Sequence, residues 1–155
     1  DGSLVGVFGG AGNGSGCRTA MGKRLLRDWL CRPLCDLAGI ELRQGCVATL
    51  ISDRRAAAEL GEALGAVQDV SRMAARIALA RATPRDVVGL GKSVGQVRIV
   101  ADALENAPAF AGQLGALRKI ERELAKLAEK IAAACVEAPP AHLREGGLVR
   151  DGVDA

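Results

Sequence analysis

Aromatic side chains make up only 2% of the 155 residues, tyrosine is absent, and histidine occurs once, at His142. With Phe8, Trp29 and Phe110 as the whole aromatic complement, a core must be built from Leu, Val, Ile and Ala, which favours packed helices. A single histidine makes Ser/His/Asp or Cys/His catalysis depend on His142. It stands beside Pro139-Pro140 with no nucleophile near it in sequence and reads as a solvated loop residue. No apolar run reaches the roughly 18 residues needed to span a bilayer, and no basic start precedes an apolar stretch as in a signal peptide. The expectation is a cytoplasmic protein without a membrane partner. The five cysteines, Cys17, Cys31, Cys35, Cys46 and Cys135, are odd in number, which argues for reduced thiols and against a disulfide framework.

Length and composition fit one globular domain. A chain of this size buries about 68–70% of its unfolded surface, and 49% hydrophobic with 25% charged residues is ordinary for such a domain. The net charge of +3 is too small to make the whole surface a polyanion footprint, so any nucleic-acid contact must be local. The chain opens at Asp1 without a methionine, which suggests a piece of a longer protein.

Residues 1–18 form a glycine-rich opening segment, and residues 19–155 read as a helical domain. A first helix is expected from about Thr19 to Leu30, with Met21, Leu25, Leu26 and Trp29 at helical spacing and Pro33 as its stop; Trp29 is expected as a packing anchor. Asp36 can cap a second helix carrying Leu37, Ile40, Cys46, Val47, Leu50 and Ile51, a third covers Arg54 to about Leu64, and Asp69 can cap a fourth. Thr83-Pro84-Arg85-Asp86 is the clearest start signal: a hydroxyl N-cap, proline at the first helical position and an acid at the third. The helix opened there is expected to run about twenty residues, to near Asn106. The last is the most regular, with Leu114, Leu117, Ile120, Leu124, Leu127 and Ile131 as an apolar seam. Two short apolar pairs flanking Gly146-Gly147, before Gly152, predict a small C-terminal β-hairpin. The fold class is therefore all-α, an irregular multi-helix domain with that hairpin.

No motif amounts to an active site. Gly91-Lys92-Ser93 imitates the end of a phosphate-binding loop, but Asp86 stands where the first glycine belongs and the triplet lies within a helix. Residues 9–16 contain no dinucleotide-binding glycine register. Cys31 and Cys35 lack a second ligand pair for zinc. Catalytic, cofactor and metal residues are thus expected to be absent. Lys23, Arg24, Arg27 and Arg32 could touch a DNA backbone, although no aromatic is interleaved for base stacking and a solvated helix face is the plainer reading.

Three blocks carry a resemblance. Arg18-Thr19-Ala20-Met21-Gly22-Lys23-Arg24-Leu25-Leu26-Arg27-Asp28-Trp29-Leu30 with Arg32-Pro33-Leu34 and Asp36 resembles the opening of the core domain in MutS-type DNA mismatch-recognition proteins. Residues from Arg76 to Asp86, and Glu137-Ala138-Pro139-Pro140 with Leu143 to Gly152, agree in order and approximate spacing. The resemblance implies an all-helical core, or lever, segment linking a DNA-binding clamp to a distant ATPase during mismatch repair, ending before the family's clamp insertion. It further implies a dimeric parent, homodimer or heterodimer, that uses ATP and Mg, binds mismatched double-stranded DNA, engages downstream repair factors and, if bacterial, works in the cytoplasm at the nucleoid. The family's mismatch-reading Phe-x-Glu has no match here, since Phe8 precedes Gly9-Gly10 and Phe110 precedes Ala111-Gly112. Competing readings are a free-standing helical scaffold with a partner groove and a paralogue that does not recognise mismatches.

Overall fold

The computed structural model describes residues 16–153, and most of the glycine-rich opening segment lies outside them. Among the described residues seven α-helices follow in order: α1 (Ala20–Cys31), α2 (Leu37–Ser52), α3 (Arg54–Gly65), α4 (Val70–Ala78), α5 (Pro84–Val94), α6 (Val97–Ala103) and α7 (Ala111–Ala134). Short 3-10 turns occupy Pro108–Phe110 and Leu143–Glu145.

The helix starts obey local chemistry. Thr19, Asp36, Asp53 and Asp69 each accept a hydrogen bond from a backbone N–H in the first turn of α1, α2, α3 and α4, satisfying a donor that the helix itself leaves free. At α5 the bond is reciprocal: Asp86 N–H donates to Thr83 Oγ1 and the Asp86 carboxylate accepts from Thr83 N–H at 2.6 Å, a complete capping box.

The core lies where α5 and α6 pack on α7, with α4 against α5 and α3 against α6. Leu60, Ala63, Met73, Val88, Val94, Ala101, Leu104, Ala107 and Cys135 are buried, and α5 makes the most extensive contact with α7. Small residues bring these helices together: a Cβ on Gly91 would lie 2.7 Å from Ile131 Cγ2, and one on Gly89 3.2 Å from Met73 Sδ.

Several expectations need correction. The twenty-residue helix from Thr83 is two helices. At Gly95 and Gln96 the ladder tightens, Gln96 N–H donating to Ser93 O three residues back, and beyond the break α6 packs on α3 and α7 while α5 packs on α4 and α7. Among the described residues there is no C-terminal hairpin. Leu143–Glu145 forms a 3-10 turn, and Leu148–Arg150 instead returns to the end of α7 through a single antiparallel bridge between Cys135 and Val149. Val136 N–H donates to Leu148 O and Arg150 N–H to Ala134 O. Gly146, Gly147 and Gly152 all take positive φ, so these turns do need glycine. Trp29 is not buried: it is 38% exposed. The α7 seam is only partly covered, with Ile120 and Leu127 on its open side. Helix α2, whose apolar residues are not gathered on one face, has no buried residue.

Candidate functional site

Helix α1 carries the predicted basic group, and the structure assigns its members different work. Arg24 reaches 45 residues along the chain to Asp69, its two guanidinium nitrogens meeting the two carboxylate oxygens, one pair at 2.7 Å. Asp69 is also the N-cap of α4 and accepts from Arg72 N–H at 3.2 Å. Met21 and Ser71 touch beside this pair, Ser71 Oγ lying 3.4 Å from the Met21 sulfur. Arg32, the C-cap just beyond α1, pairs with Asp28 of that helix at 2.6 Å. Lys23 and Arg27 are exposed and have no ion pair among the described residues. The four cations therefore do not form one free basic face.

The Arg24–Asp69 pair opens a chain of alternating charges. The Arg24 guanidinium holds the Asp69 carboxyl at about 2, helped by the Arg72 N–H and by the Arg24 and Arg72 charges against partial desolvation. Arg72 also acts on Asp86, whose carboxylate lies 3.3 Å from Arg76. Burial pushes the Asp86 carboxyl up, but the Thr83 backbone and hydroxyl hydrogen bonds and the Arg76 and Arg72 charges outweigh it, and the net shift is downward. Arg24, Asp69, Arg72, Asp86 and Arg76 thus link α1 to α4 and to the start of α5. Sequence reasoning identified Asp69 and Asp86 as caps but missed Arg72 and Arg76; their spacing of four on α4, on the side of both caps, was the available signal.

A second charged junction ties α6 to α7. Arg118 meets Glu121 at 2.8 Å, Glu105 at 2.5 Å and Asp102 at 2.8 Å. Hydrogen bonds to Glu121, Glu105 and Asp102, in that order, raise its affinity for its proton further still. Trp29 carries the Arg43 guanidinium over its ring at 3.6 Å, a cation–π contact that fastens α1 to α2.

The imitation phosphate loop is structural. Gly91 sits against Ile131, and buried Ser93 accepts from Gln68 N–H through its hydroxyl at 3.0 Å. The remaining residue, Lys92, is exposed on a helix. These groups offer ATP no cradle of free backbone amides. Cys31 and Cys35 are both exposed, and among the described residues no three His, Cys, Asp or Glu side chains are placed to hold a metal ion. His142 is exposed just before the 3-10 turn of Leu143–Glu145. A cavity of about 420 Å³ lies between α5 and the end of α7, with Gly91, Ile131 and Cys135 among its apolar walls. No described helix is long and apolar enough to cross a membrane.

The MutS domain III family model matches residues 15–151. The DNA mismatch repair protein MutS of Trichormus variabilis is 40% identical over 136 residues, covering 88% of this chain and 16% of that protein. Its counterpart in Microcystis aeruginosa is 37% identical over 139 residues, with 88% and 15% covered. That of Streptococcus thermophilus strain CNRZ 1066 is also 37% identical over 139 residues, with 88% and 16% covered. The chain therefore spans about 16% of the length of these curated relatives.

Proposed function

The chain belongs to the MutS domain III family, and from that premise we propose that residues 19–155 form the N-terminal part of a core, or lever, domain. In that role it links the DNA-binding clamp of a mismatch-recognition protein to its ATPase, in the bacterial cytoplasm. The carrying observation is the family match over residues 15–151.

The geometry supports a role in transmission. Packed helices with two discrete arrangements can couple distant sites, and here α7, of 24 residues, spans roughly 36 Å at 1.5 Å per residue. It is joined laterally to α5 through the glycine contact at Gly91 and to α6 through Arg118. The chain of charges from Arg24 to Arg76 attaches α1 to the same body. Displacing α1 relative to α4 would strip Arg24 from Asp69, the carboxylate that caps α4, so α1 moves with α4 or gives up that ion pair.

Catalysis is assigned to other domains of the parent. ATP with Mg, mismatched double-stranded DNA, a second like or related subunit and downstream repair factors are the parent's ligands in this reading. Lys23 and Arg27 are the two cations of α1 left for a DNA backbone. The test compares the isolated chain with the full-length parent. The parent is expected to hydrolyse ATP and to prefer mismatched over matched duplex, while the isolated chain binds DNA weakly, without mismatch preference and with a steep salt dependence. Saturable micromolar ATP binding by the isolated chain would overturn the assignment.

A further inference from the structure

The corner joining α4 to α5 carries more arginines than its packing and the chain of charges from Arg24 to Arg76 use. Between residues 69 and 86 stand four arginines, Arg72, Arg76, Arg81 and Arg85, against two carboxylates, Asp69 and Asp86. Both carboxylates are engaged already, by helix N-termini and by Arg24 and Arg76. Arg81 and Arg85 are exposed and have no ion pair among the described residues, and Arg72, whose charge already acts on both carboxylates, is exposed beside them.

Two large aliphatic side chains lie among these cations. Leu79 is 66% exposed and Ile77 39%. Arg76 draws the corner together, since its guanidinium lies 3.3 Å from the Asp86 carboxylate and 3.4 Å from the Arg81 carbonyl oxygen. The turn between them is held in a costly conformation: Ala80 has φ +52, the left-handed region that disfavours a Cβ.

We propose that this corner is a docking surface for an acidic protein segment with an apolar centre. The charge is complementary to carboxylates, and arginine and aliphatic groups placed together form the anchor-and-rim arrangement of protein interfaces. A nucleic-acid backbone would use the arginines but gain nothing from Leu79 and Ile77, which would face hydrated phosphates. The apolar pair therefore decides between the two partner classes. The inference concerns a partner surface and does not depend on the transmission role.

The test titrates the 155-residue chain into a fluorescein-labelled amphipathic peptide with leucines at its centre and glutamates around them, read by anisotropy at physiological salt. Saturation with Kd on the order of 10 µM is expected. Leu79→Ser and Arg81→Glu should each raise Kd about tenfold, whereas Lys119→Glu on α7 should leave it unchanged. Circular dichroism first establishes that each variant is folded, and Arg85→Glu replaces Arg81→Glu if the latter is not. Absence of saturation overturns the proposal. So does binding indifferent to Leu79→Ser, tighter binding of a labelled DNA duplex through the same arginines, or a signal that sedimentation traces to self-association of the chain.

Discussion

Gly91 of α5 and Ile131 of α7 approach so closely that a Cβ on the glycine would lie 2.7 Å from Ile131 Cγ2 and 3.0 Å from its Cβ. A branched side chain cannot yield that much without moving its own helix. Gly91→Ala is therefore expected to destabilise the chain by about 1–3 kcal/mol, the range for overpacking a close contact, despite alanine's higher helix propensity. Urea denaturation checks it. Combining Gly91→Ala with Ile131→Ala should recover part of the loss, giving a coupling free energy between the two sites. An unchanged midpoint for Gly91→Ala would mean that the helices part at no cost.

The same pair shows what could be read from sequence. Gly91-Lys92-Ser93 could be rejected as a phosphate loop because its register was wrong and it followed a helix start, but nothing in the triplet revealed Ile131 forty residues later. Start signals at Asp36, Asp69 and Thr83 were legible because a cap is a contact between near neighbours. The break at Gly95 was not, because Val94, Val97 and Ala101 continue the helical spacing straight across it. Arg24 looked like a surface cation for the same reason: its partner, Asp69, is local only in three dimensions. The C-terminal hairpin misled because both apolar pairs seemed destined for each other, whereas Leu148 and Val149 pair with the end of α7.

Ala80 ends α4 in a Schellman arrangement: Arg81 N–H donates to Arg76 O and Ala80 N–H to Ile77 O. Its positive φ is where glycine is favoured. Ala80→Gly should stabilise the chain by about 0.5–1 kcal/mol, the relief of left-handed strain exceeding the added freedom of the unfolded chain. Thermal melting should move upward. A lower melting temperature would show that the alanine methyl makes a compensating contact.

The Asp69 carboxyl, held at about 2 by Arg24, makes stability depend on acid. Its value in the unfolded chain is near 4, so the folded state prefers the ionised form. The contribution is complete above about pH 4 and is lost as pH falls towards about 2. Asp69→Asn keeps an N-cap but removes the charge, so its stability curve should be flatter than the wild type's across that window. Parallel curves would remove Asp69 from the acid response.

Transmission through α7 can be separated from binding at either end of the parent. Ala125 is exposed in mid-helix, and Ala125→Pro removes a backbone hydrogen bond and sets the ring against the carbonyl four residues earlier, at a cost of about 3 kcal/mol or more. The helix should kink between its contacts with α6 and α5. Coupling is a free energy distinct from the affinity of either site, so ATP binding and mismatch binding are each expected to survive in the folded mutant while the acceleration of nucleotide release by mismatched duplex falls. Circular dichroism establishes folding first; nucleotide release is then measured with and without mismatched duplex. A folded mutant with undiminished acceleration would place the coupling route outside α7, and the lateral links at Arg118 and Arg24 would become the next elements to break.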